Sequence, residues 1–266
     1  MSSRFLELAA VTLLLASATV AHARELRVCA DPKNLPFSNI KEQGFENRIA
    51  ELLARELHAH LTYVWQRMGR GFVREYMNKS RCDVLIGIPA NYRPLLTTQP
   101  YYRSTYVFVS RRDRAPELVS INDPDLHQMK IGVQVLDEEY APPGDALARR
   151  GMQNQIVGFD TIDSPSSIVR AVMNHKVDTA IVWGPLAGYY ARTYGNALRL
   201  TAVTPQVDPP GTPFTFAISM GVRKGNDALL GELNRFLARR HSSIQHILRS
   251  YGVPQLEMAP QMSTGD

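Results

Sequence analysis

Two stretches of this chain follow one pattern: Lys79-Ser-Arg-Cys-Asp-Val-Leu-Ile-Gly87 and His175-Lys-Val-Asp-Thr-Ala-Ile-Val-Trp183. Each is a basic helix end, an Asp, and then an apolar run of strand length. Such unalternating runs suit a parallel sheet covered on both faces. Parallel neighbours are reached only through a crossover, usually a helix. The repeat therefore predicts two α/β lobes of one kind. The segments around it agree. Phe45, Ile49, Leu52, Leu53 and Leu57 share one helical face. A strand is expected over 61–65, a short helix with Phe72, Val73, Tyr76 and Met77 inward, and a strand over 83–88. A strand over 105–110 follows, and the second unit begins at Lys130 and reads as strand 130–135, helix 144–150, strand 155–159, helix 166–175, strand 178–183 and helix 186–194. The Pro- and Gly-rich stretch 205–213 reads as a connector. A strand over 214–220 and two amphipathic helices follow, the second with Ser242 or Ser243 as its N-cap. Ligands of such sheets sit beyond the carboxyl ends of the strands, so two facing lobes would form a central cleft.

Residues 1–23 carry Arg4, an apolar run from Leu6 to Val20 and then Ala21-His22-Ala23, the pattern of a cleavable secretory signal. That run is too short and Ala-rich for a membrane span, and no later stretch is apolar enough for one. The net charge of +5 includes three separate pairs, Arg111-Arg112, Arg149-Arg150 and Arg239-Arg240. They read either as solvated surface or as a patch that docks an acidic protein. Nucleic acid is not an expected partner, because the chain is exported and carries no nucleic-acid module. Export places Cys29 and Cys82 in an oxidising compartment, where an even count favours a disulfide. Against this, Cys29 lies late in its strand and Cys82 at the entry to its own, a register that would hold parallel neighbours too far apart. Both outcomes stay open. Neither Cys has a His at metal-ligand spacing, so no metal and no cofactor is expected.

From about Glu25 to Leu256 the chain resembles the type II periplasmic solute-binding proteins. The resemblance implies a bilobal α/β fold with a central cleft and two hinge crossings, near Ser110 and Phe214. Residues 24–110 would begin lobe one, 111–213 would form lobe two, 214–257 would return to lobe one, and 258–266 would be a flexible tail. Six blocks in order, LRVCADPKNLPFSN, GFENRIAELLARELH, RCDVLIGIPANY, LTTQPYYRSTYVFVSR, VDTAIVWGPLAGYYA and PFTFAISMGVRKG, resemble a narrower branch. This is the solute-binding-like protein J of methanol oxidation operons, associated with quinoprotein dehydrogenases. That resemblance implies a periplasmic, non-enzymatic accessory of a PQQ-dependent alcohol dehydrogenase, with the dehydrogenase or its cytochrome c as partner. The alternative is a true receptor delivering a non-amino-acid small molecule to an ABC transporter. A third reading is an elimination enzyme using Asp31, Asp137, Glu138 or Glu139 as general acid or base, weighed against a plain solvated acidic loop. No nucleophile-elbow signature is present.

Polar amino-acid binders of this fold clamp the ligand carboxylate with an Arg after the third strand of lobe one, through a bidentate pair. Arg93 lies nearest that place, in a shorter segment. Where those binders carry an acid for the ligand ammonium, this chain has Trp183-Gly184-Pro185. In place of their anion cradle stands Gln134-Val135-Leu136-Asp137-Glu138-Glu139, of the wrong sign for a carboxylate. The expectation is a cleft with aromatic walls whose ligand is not a standard amino acid. Its candidates are Asp31, Phe37, Ser38, Tyr92, Arg93, Tyr101, Gln134 and Trp183, with core or interlobe packing as the competing reading for the aromatics.

Overall fold

The structure is a computed structural model that describes residues 24–69, 71–113, 117–136 and 138–258. The signal expected over 1–23, Asp137, and all but the first residue of the tail expected over 258–266 lie outside the described residues. The strands are β1 (Arg24–Ala30), β2 (Ala59–Trp65), β3 (Val84–Pro89), β4 (Tyr102–Arg111), β5 (Ile131–Leu136), β6 (Ile156–Asp160), β7 (Thr179–Trp183), β8 (Leu198–Ala202) and β9 (Thr215–Val222). The helices are α1 (Phe45–Glu56), α2 (Pro142–Arg149), α3 (Ser167–Met173), α4 (Gly184–Ala191), α5 (Asp227–Arg239) and α6 (His241–Ser250). β8 falls between the helix read over 186–194 and the connector read over 205–213, a stretch to which the sequence reading assigned no element. The expected Ser242 or Ser243 cap is also displaced. α6 starts at His241, directly after α5, and Arg240 is its N-cap with no side-chain cap bond.

Lobe one is a sheet in the order β2-β1-β3-β9, with β2, β1 and β3 parallel and β9 antiparallel to β3. Lobe two runs β6-β5-β7, all parallel, and then β4 and β8, each antiparallel to its neighbour. β4 belongs to both. Its Tyr102–Thr105 pair with Ile218–Thr215 of β9, and Tyr106–Ser110 pair with Trp183–Thr179 of β7. The partner switch therefore falls between Thr105 and Tyr106, ahead of the Ser110 crossing expected from sequence, because one extended strand serves both ladders. The crossing is pinned. Thr105 donates its hydroxyl to the Phe214 carbonyl at 3.0 Å, and the Tyr106 amide donates to the same oxygen at 2.9 Å.

Both faces of each sheet are covered, as the apolar runs require. α1, α5 and α6 pack Phe45, Ile49, Leu53, Leu233, Phe236 and Leu248 onto one face of lobe one, all of them with no exposed surface. Burying each such side chain contributes roughly 1.5–3 kcal/mol. The other face packs around Cys29 and Cys82, which form a disulfide with Cα atoms 5.5 Å apart. The concern about register is answered by the loop before β3: Asp83 donates its amide to the Arg27 carbonyl at 2.8 Å, drawing Cys82 alongside β1. In lobe two the alternation of β4 sends Tyr106 and Phe108 to one core and Val107 and Val109 to the other.

Two of the three arginine pairs are not free surface. Arg149 and Arg150 both ion-pair with Asp208, whose side chain is wholly buried. Arg239 and Arg240 hold Glu56 at 3.1 and 2.6 Å, tying α5 and the start of α6 to α1. Arg111 is buried and donates to the Val172 carbonyl at 2.7 Å.

The two lobes also meet behind the crossing. The Cβ of an alanine at Gly188 in α4 would lie 1.9 Å from the Gly252 carbonyl oxygen, so the backbones can touch only because residue 188 has no side chain. Beside this contact Tyr189 stacks on Tyr251 with centroids 5.8 Å apart, and Arg192 donates to the Ser250 carbonyl. Tyr190 donates its hydroxyl to the Leu35 carbonyl at 3.3 Å. Tyr189 and Tyr190 are thus interlobe contacts.

Candidate functional site

The first wall of the cleft is the loop after β1. Asp31 is buried, and both of its carboxylate oxygens accept backbone amides: Lys33 at 2.8 Å and Met68 at 3.1 Å. Ser38, also buried, donates its hydroxyl to the Asp31 carbonyl at 2.8 Å. The carbonyls of Pro36 and Phe37 then accept the first amides of α1, from Phe45 and Glu46, at 2.8 and 3.0 Å. These bonds satisfy orphan donors at the helix start and weld the loop to α1. Asp31 and Ser38, expected in the cleft, instead hold the loop in shape. What they present is Phe37, packed against Phe45 at 5.2 Å and lining the cleft.

The opposite wall comes from the carboxyl ends of β5 and β7. Gln134 is buried. Its amide nitrogen donates to the Thr161 hydroxyl at 3.0 Å, and its carbonyl oxygen accepts the Trp183 backbone amide at 2.6 Å. This pins Trp183 at the tip of β7. The indole meets Tyr106 at 5.4 Å and Phe216 edge-on at 5.7 Å. Trp183 and Phe216 pack against the cores of both lobes. The space between the walls is about 290 Å³.

Three expected residues lie elsewhere. Tyr101 is buried in the lobe-one core against Tyr102, and burial pushes its hydroxyl well above its ordinary pKa. Tyr92 lines a separate groove of about 430 Å³ in lobe one, with Phe72, Ile88 and Pro94. Arg93 is exposed and absent from the cleft lining. Both follow the turn after β3, which passes through Asn91 with φ 61°. Glu138 lines a polar recess with Arg67, Val135 and Asp160, outside the aromatic cavity.

Sequence reasoning missed Tyr106, Phe216, Thr161 and Asn34, all of which line the cavity, and the group behind its floor. Gly87 has φ 82°, and a Cβ there would lie 1.8 Å from Oε1 of Glu46. Glu46 is 8% exposed. Burial, with Asp31 nearby, pushes its carboxyl up to about 8, so it is neutral below that pH. An acid in the first turn of a helix reads as a surface residue favoured by the dipole, which is why it escaped notice. The glycine that makes room for it in the apolar run 84–88 was the available signal. Among the described residues no group of three or more His, Cys, Asp or Glu could hold a metal ion, and no helix is long and apolar enough to cross a membrane.

With this geometry in place, comparison with known proteins is informative. Residues 26–254 match the family model of bacterial extracellular solute-binding proteins, family 3. Protein MoxJ of Paracoccus denitrificans is 33% identical over 265 residues, covering 93% of this chain and 95% of MoxJ. The crystal structure of MxaJ from Methlophaga aminisulfidivorans MPT superposes with a TM-score of 0.75 at 28% identity, over 87% of this chain and 100% of MxaJ. That of the periplasmic binding protein XoxJ from Methylobacterium extorquens AM1 gives 0.71 at 35% identity, over 88% of this chain and 100% of XoxJ. Folded as two α/β lobes about a cleft and matched along nearly its whole described length, the chain belongs to family 3 of the bacterial extracellular solute-binding proteins, in the branch of MoxJ, MxaJ and XoxJ.

Proposed function

We propose that this protein is a periplasmic, non-enzymatic accessory of a PQQ-dependent alcohol dehydrogenase, acting on the enzyme or its cytochrome c. The observation that carries the reading is the match to MoxJ, MxaJ and XoxJ over almost the full length of both partners. The cleft supports it. Among the described residues no Lys, Arg, Asp or Glu lines the cavity, so the paired charges that hold an amino acid are not found among them. Asp31, the lobe-one candidate for acid–base chemistry, has both oxygens engaged by backbone amides, which weighs against elimination catalysis. The contacts at Gly188, Tyr189 and Tyr190 favour one lobe arrangement, and that arrangement would present a constant surface to a partner. The test is co-purification of the tagged protein from periplasm, with dehydrogenase activity measured in a deletion strain. Capture of the dehydrogenase or its cytochrome, and reduced activity on deletion, are expected. Absence of both refutes the reading.

A second reading, a receptor feeding an ABC transporter, is favoured by one observation: the cavity of about 290 Å³ is large enough for a small ligand. It predicts a thermal shift with one metabolite. A broad panel that leaves the melting temperature unchanged would remove it.

A further inference from the structure

The cavity between the lobes is selective by what it lacks. Its polar lining is Asn34, Thr161 and Gln134. Both ends of the Gln134 amide are already engaged, by Thr161 and the Trp183 backbone. The Thr161 oxygen accepts from Gln134, which leaves its O–H to donate. The Asn34 carboxamide, the Tyr106 hydroxyl and the Trp183 indole N–H are the other polar side-chain groups carried by lining residues. The rest of the described lining is apolar or aromatic, with Phe37 on one wall and, on the other, Trp183 in contact with both Tyr106 and Phe216. The nearby acid gives no counter-charge, because Glu46 sits behind Gly87 and is held neutral by burial near neutral pH.

Moving an ion into such a space costs several kcal/mol unless it is paired. Among the described residues lining the cavity, a carboxylate finds no cation and an ammonium no anion. Trp183 meets Tyr106 tilted and Phe216 edge to face, as a wall does, where a cage for a cation sets ring faces around a point. The volume is about twice the ~150 Å³ that takes up benzene in an engineered apolar cavity.

We propose that this cleft binds a small, uncharged, ring-bearing molecule, held by the aromatic walls and oriented by one or two hydrogen bonds to Asn34 and Thr161. The inference concerns the cavity alone and is independent of any role toward a dehydrogenase; it excludes the tricarboxylate PQQ as the occupant.

The experiment is calorimetric titration of the mature protein with four probes: neutral indole, anionic indole-3-acetate, cationic tryptamine and tetramethylammonium. Saturable binding of indole is expected, with each charged probe weaker by at least about tenfold. Ile162→Trp, which places bulk on the cavity lining, is expected to abolish indole binding while thermal melting shows the fold retained. Leu136 also lines the cavity and is 41% exposed, so Leu136→Arg is tolerable. It is expected to shift the preference from indole toward indole-3-acetate by about tenfold. Absence of indole binding, a charged probe binding as tightly as indole, or indole binding unchanged in Ile162→Trp would each overturn the proposal. The deletion-strain assay reads neither result, so the two conclusions stand or fall separately.

Discussion

Replacing Glu46 by glutamine isolates one buried proton. The carboxyl lies 8% exposed beside Gly87, with Asp31, Tyr101 and Tyr102 as the titratable groups that interact with it. Burial first, and the Asp31 charge second, raise it from 4.5 to about 8. Between those values the native protein keeps a proton that the unfolded chain has released. Stability therefore falls as pH rises through the window and levels off above about 8. Each unit is ~1.4 kcal/mol, so the full window is worth on the order of 5 kcal/mol. Glu46→Gln removes the titration while keeping the shape, so its own stability lacks this slope. Urea unfolding followed by tryptophan fluorescence, from about pH 4.5 to about pH 9, measures both proteins. The difference between variant and wild type is expected to grow steadily with pH and then flatten. A difference that stays constant within ~1 kcal/mol across the range refutes the assignment of a neutral, buried Glu46.

Other outcomes follow from the packing. The Cys29–Cys82 bridge spans 53 residues, and in the chain-entropy account a loop of that length is worth about 4 kcal/mol. The double variant to alanine should lose about that much in urea unfolding. Asp208→Asn leaves Arg149 and Arg150 without the carboxylate that holds them and is expected to cost roughly 3 kcal/mol. Burial alone would raise this carboxyl, yet the two guanidiniums outweigh it and hold it below its ordinary value. The stabilisation is accordingly present above the usual aspartate range and lost as pH falls through the lowered value, which acid unfolding of wild type and variant would separate. Gly188→Ala forces a methyl group against the Gly252 carbonyl. It should lower stability by about 2 kcal/mol and widen the angle between the lobes, visible as a larger radius of gyration in X-ray scattering.

Much of the lobe architecture was legible because it rests on periodicity. The face of α1 and the apolar runs of β3 and β7 are patterns that only a covered parallel sheet with packed helices satisfies. β8 was missed because its Leu-Arg-Leu-Thr-Ala is short and follows directly on a helix, and β4 on its other side was needed to define it. Part of the cleft was legible for a similar reason: Gln134 and Trp183 stand near strand ends and Phe37 in the loop that leaves one, and the carboxyl ends of the strands face the cleft. Tyr92, Arg93 and Tyr101 lie elsewhere, because the turn at Asn91 and the bend at Tyr101 depend on local backbone geometry that carries no periodic signature. Tyr106 and Phe216 were hidden by the opposite error, since residues inside a strand read as core until the strand is found to pass between two lobes. Asp31 and Ser38 show a further limit. A polar residue in a loop reads the same whether it meets a ligand or the loop's own amides.

The division of β4 and β9 between the lobes also sets an order of events for a chain that emerges from its amino end. β3 pairs with β1 on one side, but its other neighbour is β9, which follows the whole of lobe two. Until β9 arrives, β3 presents an apolar, hydrogen-bond-hungry edge, the kind of template on which chains associate with one another. Lobe two is complete in the chain by residue 213, whereas lobe one begins first and closes last. A chain stalled or clipped before residue 215 would consequently be a sound second lobe attached to an open sheet, and such fragments are the species expected to aggregate and to require a holding chaperone.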